Sequence, residues 1–210
     1  MTRSRDLANL GDNSSILEQQ GLVQIIPSSV TVAGAGSSGS VDSKGNGVFS
    51  SCTSFSLNGC FTSTYQNYRV VITRLSTAAN ANITIRLRLN GTDESSGSNF
   101  YKNHFQGVYG SAGTTFSGGS NGSTDWGTVL YLLNTSDGGD AYIKLELANP
   151  AIARTTAGTF DTYAYQADTT VRVSKRGGLA HTAQTAYDGI SLIASASSMT
   201  GSIKVYGYNN

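Results

Sequence analysis

Charge is what this chain has least of. Asp, Glu, Lys and Arg make up 13% of 210 residues, about half the share found in an average globular domain. Fourteen basic and thirteen acidic side chains leave a formal net charge of +1. No overall attraction to nucleic acid or to an anionic membrane surface is therefore expected. Proline, cysteine and histidine are just as scarce, with 2 residues each. Cys52 and Cys60 flank Phe55, Leu57 and the Asn58-Gly59 pair and could meet across a hairpin. Two buried thiols are the plainer expectation for a chain made in a cytoplasm. His104 and His181 lie far apart and give none of the spacings of a metal site, so no metal and no cofactor is expected. No stretch is long and apolar enough for a membrane helix. The start, with Arg3, Arg5 and Asp6, lacks the apolar segment of a secretory signal. The expectation is a protein made in a cytoplasm and not inserted into a membrane.

What takes the place of charge is 25 Gly, much Ser, Thr and Asn, 11 Tyr and 7 Phe. Small polar residues alone would permit disorder, but the apolar residues are patterned. Ile83, Ile85, Leu87 and Leu89 alternate with Thr84, Arg86 and Arg88, the period of a strand with one face inward. Ile143, Leu145 and Leu147 alternate in the same way, as do Ile190, Leu192 and Ala194, and then Ile203 and Val205. Residues 65–72 and 100–109 are aromatic-rich and read as strands. Residues 126–133 form a near-continuous apolar run, the signature of a buried strand. Shorter strands are expected at 22–26 and 30–32. Gly/Ser/Asn-rich stretches at 34–47, 90–99 and 110–125 read as loops. Residues 151–178 are less regular, with strand-like pieces near Tyr163 and Val173. On the order of ten strands with regular turn signals predict an all-β fold, an antiparallel β-sandwich or jelly-roll-like module spanning residues 21–210.

Residues 1–20 differ. Leu7, Leu10, Ile16 and Leu17 are too few to bury against one another. Arg3 and Arg5 beside Asp6 are suited to bidentate pairing with carboxylates on a partner. A short N-terminal arm is predicted, docking through Arg3, Arg5, Asp6, Leu7 and Leu10.

Motifs with chemistry are few. Gly34, Gly36 and Gly39 have dinucleotide-binding spacing, but the residues that follow cannot open the helix that would hold a pyrophosphate. His181 and Asp188 lack the nucleophile elbow of a serine hydrolase. Glycan cleavage needs two carboxylates at a set separation, and most carboxylates here, Asp161 among them, fall in expected turns. Glu146 sits beside Lys144, where a cross-strand ion pair is the plain reading. Asp137 and Asp140 have a spacing that could hold Ca²⁺, though Asp-Gly turns are common without metal. No catalytic residue is assigned. Tyr101, Tyr109, Phe116 and Trp126 surround the long loop at 110–125. They are either the stacking faces of a glycan site or core aromatics beneath a surface loop.

Three stretches carry a family resemblance: residues 2–10, with Arg3, Arg5 and Asp6; residues 61–72, with Tyr65 and Tyr68; and residues 149–208, with Arg154, His181, Tyr187, Gly189 and Tyr208. Together they resemble small β-sandwich virion proteins of tailed bacteriophages, of the marine-phage type. The resemblance implies a non-enzymatic structural protein of the particle that commonly trimerises. It points to a short tail or head fibre involved in host-surface attachment, in contact with other virion proteins and with a host-surface glycan. A capsid decoration protein and a carbohydrate-binding module are the alternatives. A depolymerase fits least, for want of a carboxylate pair.

Overall fold

The computed structural model describes residues 21–97, 99–109, 114–133, 141–165 and 172–208, which contain sixteen strands and no helix. The first eight strands are β1 (Leu22–Gln24), β2 (Ser29–Ala33), β3 (Ser38–Val41), β4 (Gly47–Cys52), β5 (Ser54–Asn58), β6 (Asn67–Thr77), β7 (Ala81–Leu89) and β8 (Thr92–Asp93). The second eight are β9 (Phe100–Tyr109), β10 (Thr114–Ser123), β11 (Trp126–Leu133), β12 (Ala141–Ala148), β13 (Thr156–Tyr165), β14 (Arg172–His181), β15 (Gly189–Ala194) and β16 (Met199–Tyr208). They build two antiparallel sheets packed face to face, a β-sandwich. The larger sheet has ten strands in the order β10-β9-β14-β13-β12-β6-β16-β4-β3, with β1 also paired to β16. The smaller has six, in the order β11-β7-β15-β5-β2, with β8 on β7.

Period-2 alternation explains how the sheets meet. Val70 and Ile72 of β6, Ile143 and Leu145 of β12, and Ile203 and Val205 of β16 are buried on the large sheet. Ile83, Ile85 and Leu87 of β7, Leu192 of β15, and Phe55 and Leu57 of β5 are buried on the small one. Each such side chain contributes roughly 1.5–3 kcal/mol on leaving water. Aromatic pairs cross the interface at both ends. Phe49 of β4 stacks on Phe55 of β5 with centroids 4.6 Å apart. Phe100 of β9 meets Trp126 of β11 edge to face at 5.4 Å. Between β9 and β14 the backbones approach closely at Gly177, where a Cβ would lie 1.8 Å from the Asn103 carbonyl oxygen and 2.7 Å from the Phe160 ring. Only glycine fits there.

Four expectations from the sequence need correction. Residues 110–125 are not one long loop, because β10 occupies 114–123 and pairs with β9. An edge strand has one neighbour, so its glycines are tolerated. The register shifts on both sides of Ser120 absorb the irregularity. Residues 151–178 are more regular than expected: the strand-like pieces near Tyr163 and Val173 are the ten-residue β13 and the greater part of β14, and Asp161 lies mid-strand rather than in a turn. Residues 34–47 include strand β3. Finally, the alternation in β7 breaks at its end, where Arg88 is buried and Leu89 is exposed at 37%. Asn90 and Gly91 take positive φ values of 51° and 77° and turn the chain back so that Asp93 of β8 meets Arg88. The Arg88 guanidinium also donates to Asn58 Oδ1, Ser56 Oγ and Ser191 Oγ, each at 2.9 Å. Ion pairing and hydroxyls make its burial tolerable.

The two leucines give a direct check. Leu87→Asp should cost about 3 kcal/mol or more, because it puts an unpaired charge in the core. Leu89→Asp should change stability by about 0.5 kcal/mol or less. Urea unfolding of the two variants reads the difference, and equal midpoints would refute the assigned face of β7.

Candidate functional site

Among the described residues, the solvated face of the large sheet carries two depressions. Register places its side chains in rows across the strands. One row runs Phe105 (β9), Arg176 (β14), Asp161 (β13) and Lys144 (β12). The next runs Gly107, Ser174, Tyr163 and Tyr142 on the same four strands. Because Gly107 and Ser174 are small and their neighbours are large, the second row dips. The result is a depression of about 540 Å³. Phe105, 61% exposed, stands on one side, and Tyr163, 39% exposed, on the other. They lie two strands apart, ~10 Å across the sheet. Exposed aromatic faces over a floor of hydroxyl and backbone suit a sugar ring, whose C–H groups rest on the negative face of an aromatic ring.

The charged row forms one rim. Lys144 Nζ lies 2.8 Å from Asp161 Oδ2, and Arg176 Nε donates to Asp161 Oδ1. Burial alone would raise the pKa of the Asp161 carboxyl. The hydrogen bonds and charges of Lys144 and Arg176 outweigh that and hold it below its ordinary value of 3.8. Glu146, two residues along β12 on the same face, belongs to a separate group and does not pair with Lys144. Its Oε1 is 2.6 Å from Arg69 Nε, and its Oε2 accepts from the Tyr208 hydroxyl at 2.5 Å. Arg69 also packs its guanidinium over the Tyr208 ring. A second, shallower depression of about 390 Å³ lies beside this group, over Ala148 and Ala157.

The aromatic residues singled out from sequence do not form one cluster. Trp126 is fully buried, and its indole N–H donates to the Ala180 carbonyl at 3.0 Å. It belongs to the core and cannot stack on a ligand. Tyr101 does sit on the solvated face, 36% exposed, but four residues along β9 from Phe105. The backbones of Tyr109 and Phe116 pair in β9 and β10, and their side chains lie outside the described residues. So do Arg3, Arg5, Asp6, Leu7 and Leu10 of the arm, and Asp137 and Asp140. Phe105, Tyr142 and Tyr163 were missed as site residues. Their only local signal was aromatic density inside a strand.

Both histidines are buried. Burial, then the charges of Lys175 and Lys102, lowers the pKa of His104, and burial lowers that of His181. His181 Nδ1 lies 3.4 Å from the Tyr187 hydroxyl, which lies 3.3 Å from Glu94 Oε2. The His181 ring packs between Phe100 and Tyr187. Asp188 takes no part in this chain, since its Oδ2 accepts from the Asn90 backbone at 3.0 Å, and no triad forms with His181. Gly34 and Gly36 have positive φ in a tight turn, and strand β3 follows where a nucleotide site would need a helix. Cys52 and Cys60 are both free and buried, as the plainer reading has it. Among the described residues no group of three or more His, Cys, Asp or Glu is placed to hold a metal.

Fold and site together define an all-β sandwich with an aromatic, partly charged depression on one open sheet face. No protein-family model matches the chain, and neither a curated protein nor a solved structure is similar to it.

The Asp161 cluster makes a prediction about pH. Because the folded-state pKa is depressed, the stabilisation from Asp161 is full above the unfolded-state value. It is lost as pH falls through the folded value. Asp161→Asn should therefore lower stability at pH 7 by about 1 kcal/mol or less after solvent screening. The gap from the native chain should close below the ordinary value of 3.8. Unfolding midpoints between pH 2 and pH 7 test this, and a gap that widens in acid would be the wrong sign.

Proposed function

We propose that the chain is a non-enzymatic adhesion module that holds a surface glycan on the open face of its larger sheet. The reading rests on one observation, the depression between Phe105, Tyr142 and Tyr163. Large aromatic faces exposed on a rigid sheet, over a small polar floor, leave apolar surface in water that a partner would cover. The resemblance to tailed-phage virion proteins supplies the setting. In it, the module is part of a short tail or head fibre that contacts the host surface. Residues 1–20 anchor it to other virion proteins, and copies associate as a homotrimer.

The runner-up, a capsid decoration protein, draws on a different feature. Leu22 and Ile26 are exposed apolar side chains close in sequence to the point where residues 1–20 join the sandwich, and Val48 is exposed farther along the same side of β16. In that reading this edge lies against the capsid and the depression has no ligand.

Two experiments separate the readings. Phe105→Ala and Tyr163→Ala should each reduce binding of the purified protein to host cells at least tenfold. Their melting temperature should stay within about 2 °C of the native chain, because both side chains are exposed. A version beginning at Gly21 should fold and bind cells but fail to join virions. Unchanged cell binding by both aromatic variants, with native protein raising the melting temperature of purified capsids, would favour decoration.

A further inference from the structure

The rim of the depression has an excess of positive charge that the rest of the chain does not share. Lys144 and Arg176 line it. Arg172 lies two residues before Ser174 on β14 and is exposed on the same face. Asp161 is the carboxylate that faces them, bonded to both Lys144 and Arg176. Glu146, the next carboxylate along β12, is taken up by Arg69 and Tyr208. Three cations therefore face one carboxylate, a local excess of two positive charges on a chain whose total is +1. Arg176 is also poised to bind. Its side chain is 80% exposed, and it spends only Nε on Asp161. That leaves N–H donors on the terminal nitrogens for the fork geometry that grips planar and tetrahedral oxyanions.

We infer that the glycan held by this face is acidic, carrying a carboxylate or a sulfate that Arg176 grips while its sugar ring lies against Phe105 and Tyr163. This rests on the glycan-binding reading above and adds the ligand's charge to it. In the unliganded protein Asp161 is the internal counter-ion of the two cations. An incoming anion competes with it for Arg176, so the carboxylate sets how tightly anionic ligands are held and lets neutral ones pass. Contacts made in a half-exposed groove are screened by salt, with a Debye length of ~10 Å at 0.1 M. Binding should therefore weaken as ionic strength rises.

The test uses the full chain and matched pairs of polymers. One pair is oligogalacturonate and its carboxyl-reduced form, and the other is a sulfated galactan and its desulfated form. Affinity is measured by calorimetry at low and high salt. At least one acidic member should bind about tenfold or more tightly than its neutral partner, and that pair identifies the anion. Arg176→Gln should weaken the acidic ligand about tenfold. Asp161→Asn, which removes the competing carboxylate, should tighten it severalfold. Lys44→Gln removes the same charge from the distant turn between β3 and β4 and should have no effect. Equal affinity within both pairs overturns the acidic ligand while leaving glycan binding in place. So does an acidic preference that Lys44→Gln weakens as fully as Arg176→Gln does. If no polymer binds, or if Phe105→Ala binds them all as the native chain does, both the acidic ligand and the glycan reading fail.

Discussion

Two aromatic contacts at opposite ends of the sandwich set the spacing of its sheets. Phe49 on Phe55 closes the end near β3 and β2, and Phe100 on Trp126 closes the end near β9 and β11. Between them the aliphatic residues of β6, β12 and β16 meet those of β7, β15 and β5. Every later feature depends on this arrangement. With one face of the large sheet committed to the core, the alternate residues must all point to water. The side chains of the candidate site are on the open face because their neighbours in the chain are buried. Tyr142 faces out because Ala141 and Ile143 face in, and Tyr163 because Thr162 and Ala164 do.

The same contacts explain why Trp126 is core. The sequence leaves it open between a stacking face and a core aromatic, because it flanks a long Gly/Ser stretch. Its place on β11 puts the ring beneath β9 and β14, where Phe100 packs against it and the Ala180 carbonyl accepts its N–H. A buried indole needs both an apolar wall and an acceptor, and here each comes from the opposite sheet.

The fold was legible in the sequence where one face of a strand is aliphatic. Ile83, Ile85 and Leu87, then Ile143, Leu145 and Leu147, announce both sheets. It was not legible in β13 and β14, whose inward positions include Gly158, Thr162, Lys175 and Gly177. The hydrophobic period is broken there, because these small and polar residues are interspersed with the buried Phe160, Val173 and Leu179 on the inner face. Arg88 and Leu89 were misread for another reason. Their exchange of places depends on a turn at Asn90 and Gly91 and on serines from β5 and β15, distant in sequence. The candidate site was invisible for the same reason. Phe105, Gly107, Ser174, Tyr163 and Tyr142 become neighbours only when β9, β14, β13 and β12 pair in one register, and the sequence states the strands but not their order.

The outermost strands have a consequence for life at high density. Strand β3 has four residues and β2 has five, while β10 and β11 each carry two register shifts. A short or kinked border is a poor template for a further strand. Many copies crowded side by side would then meet through side chains rather than by zipping backbone to backbone. That guards a neutral, serine-rich polypeptide with little electrostatic repulsion against forming fibrils.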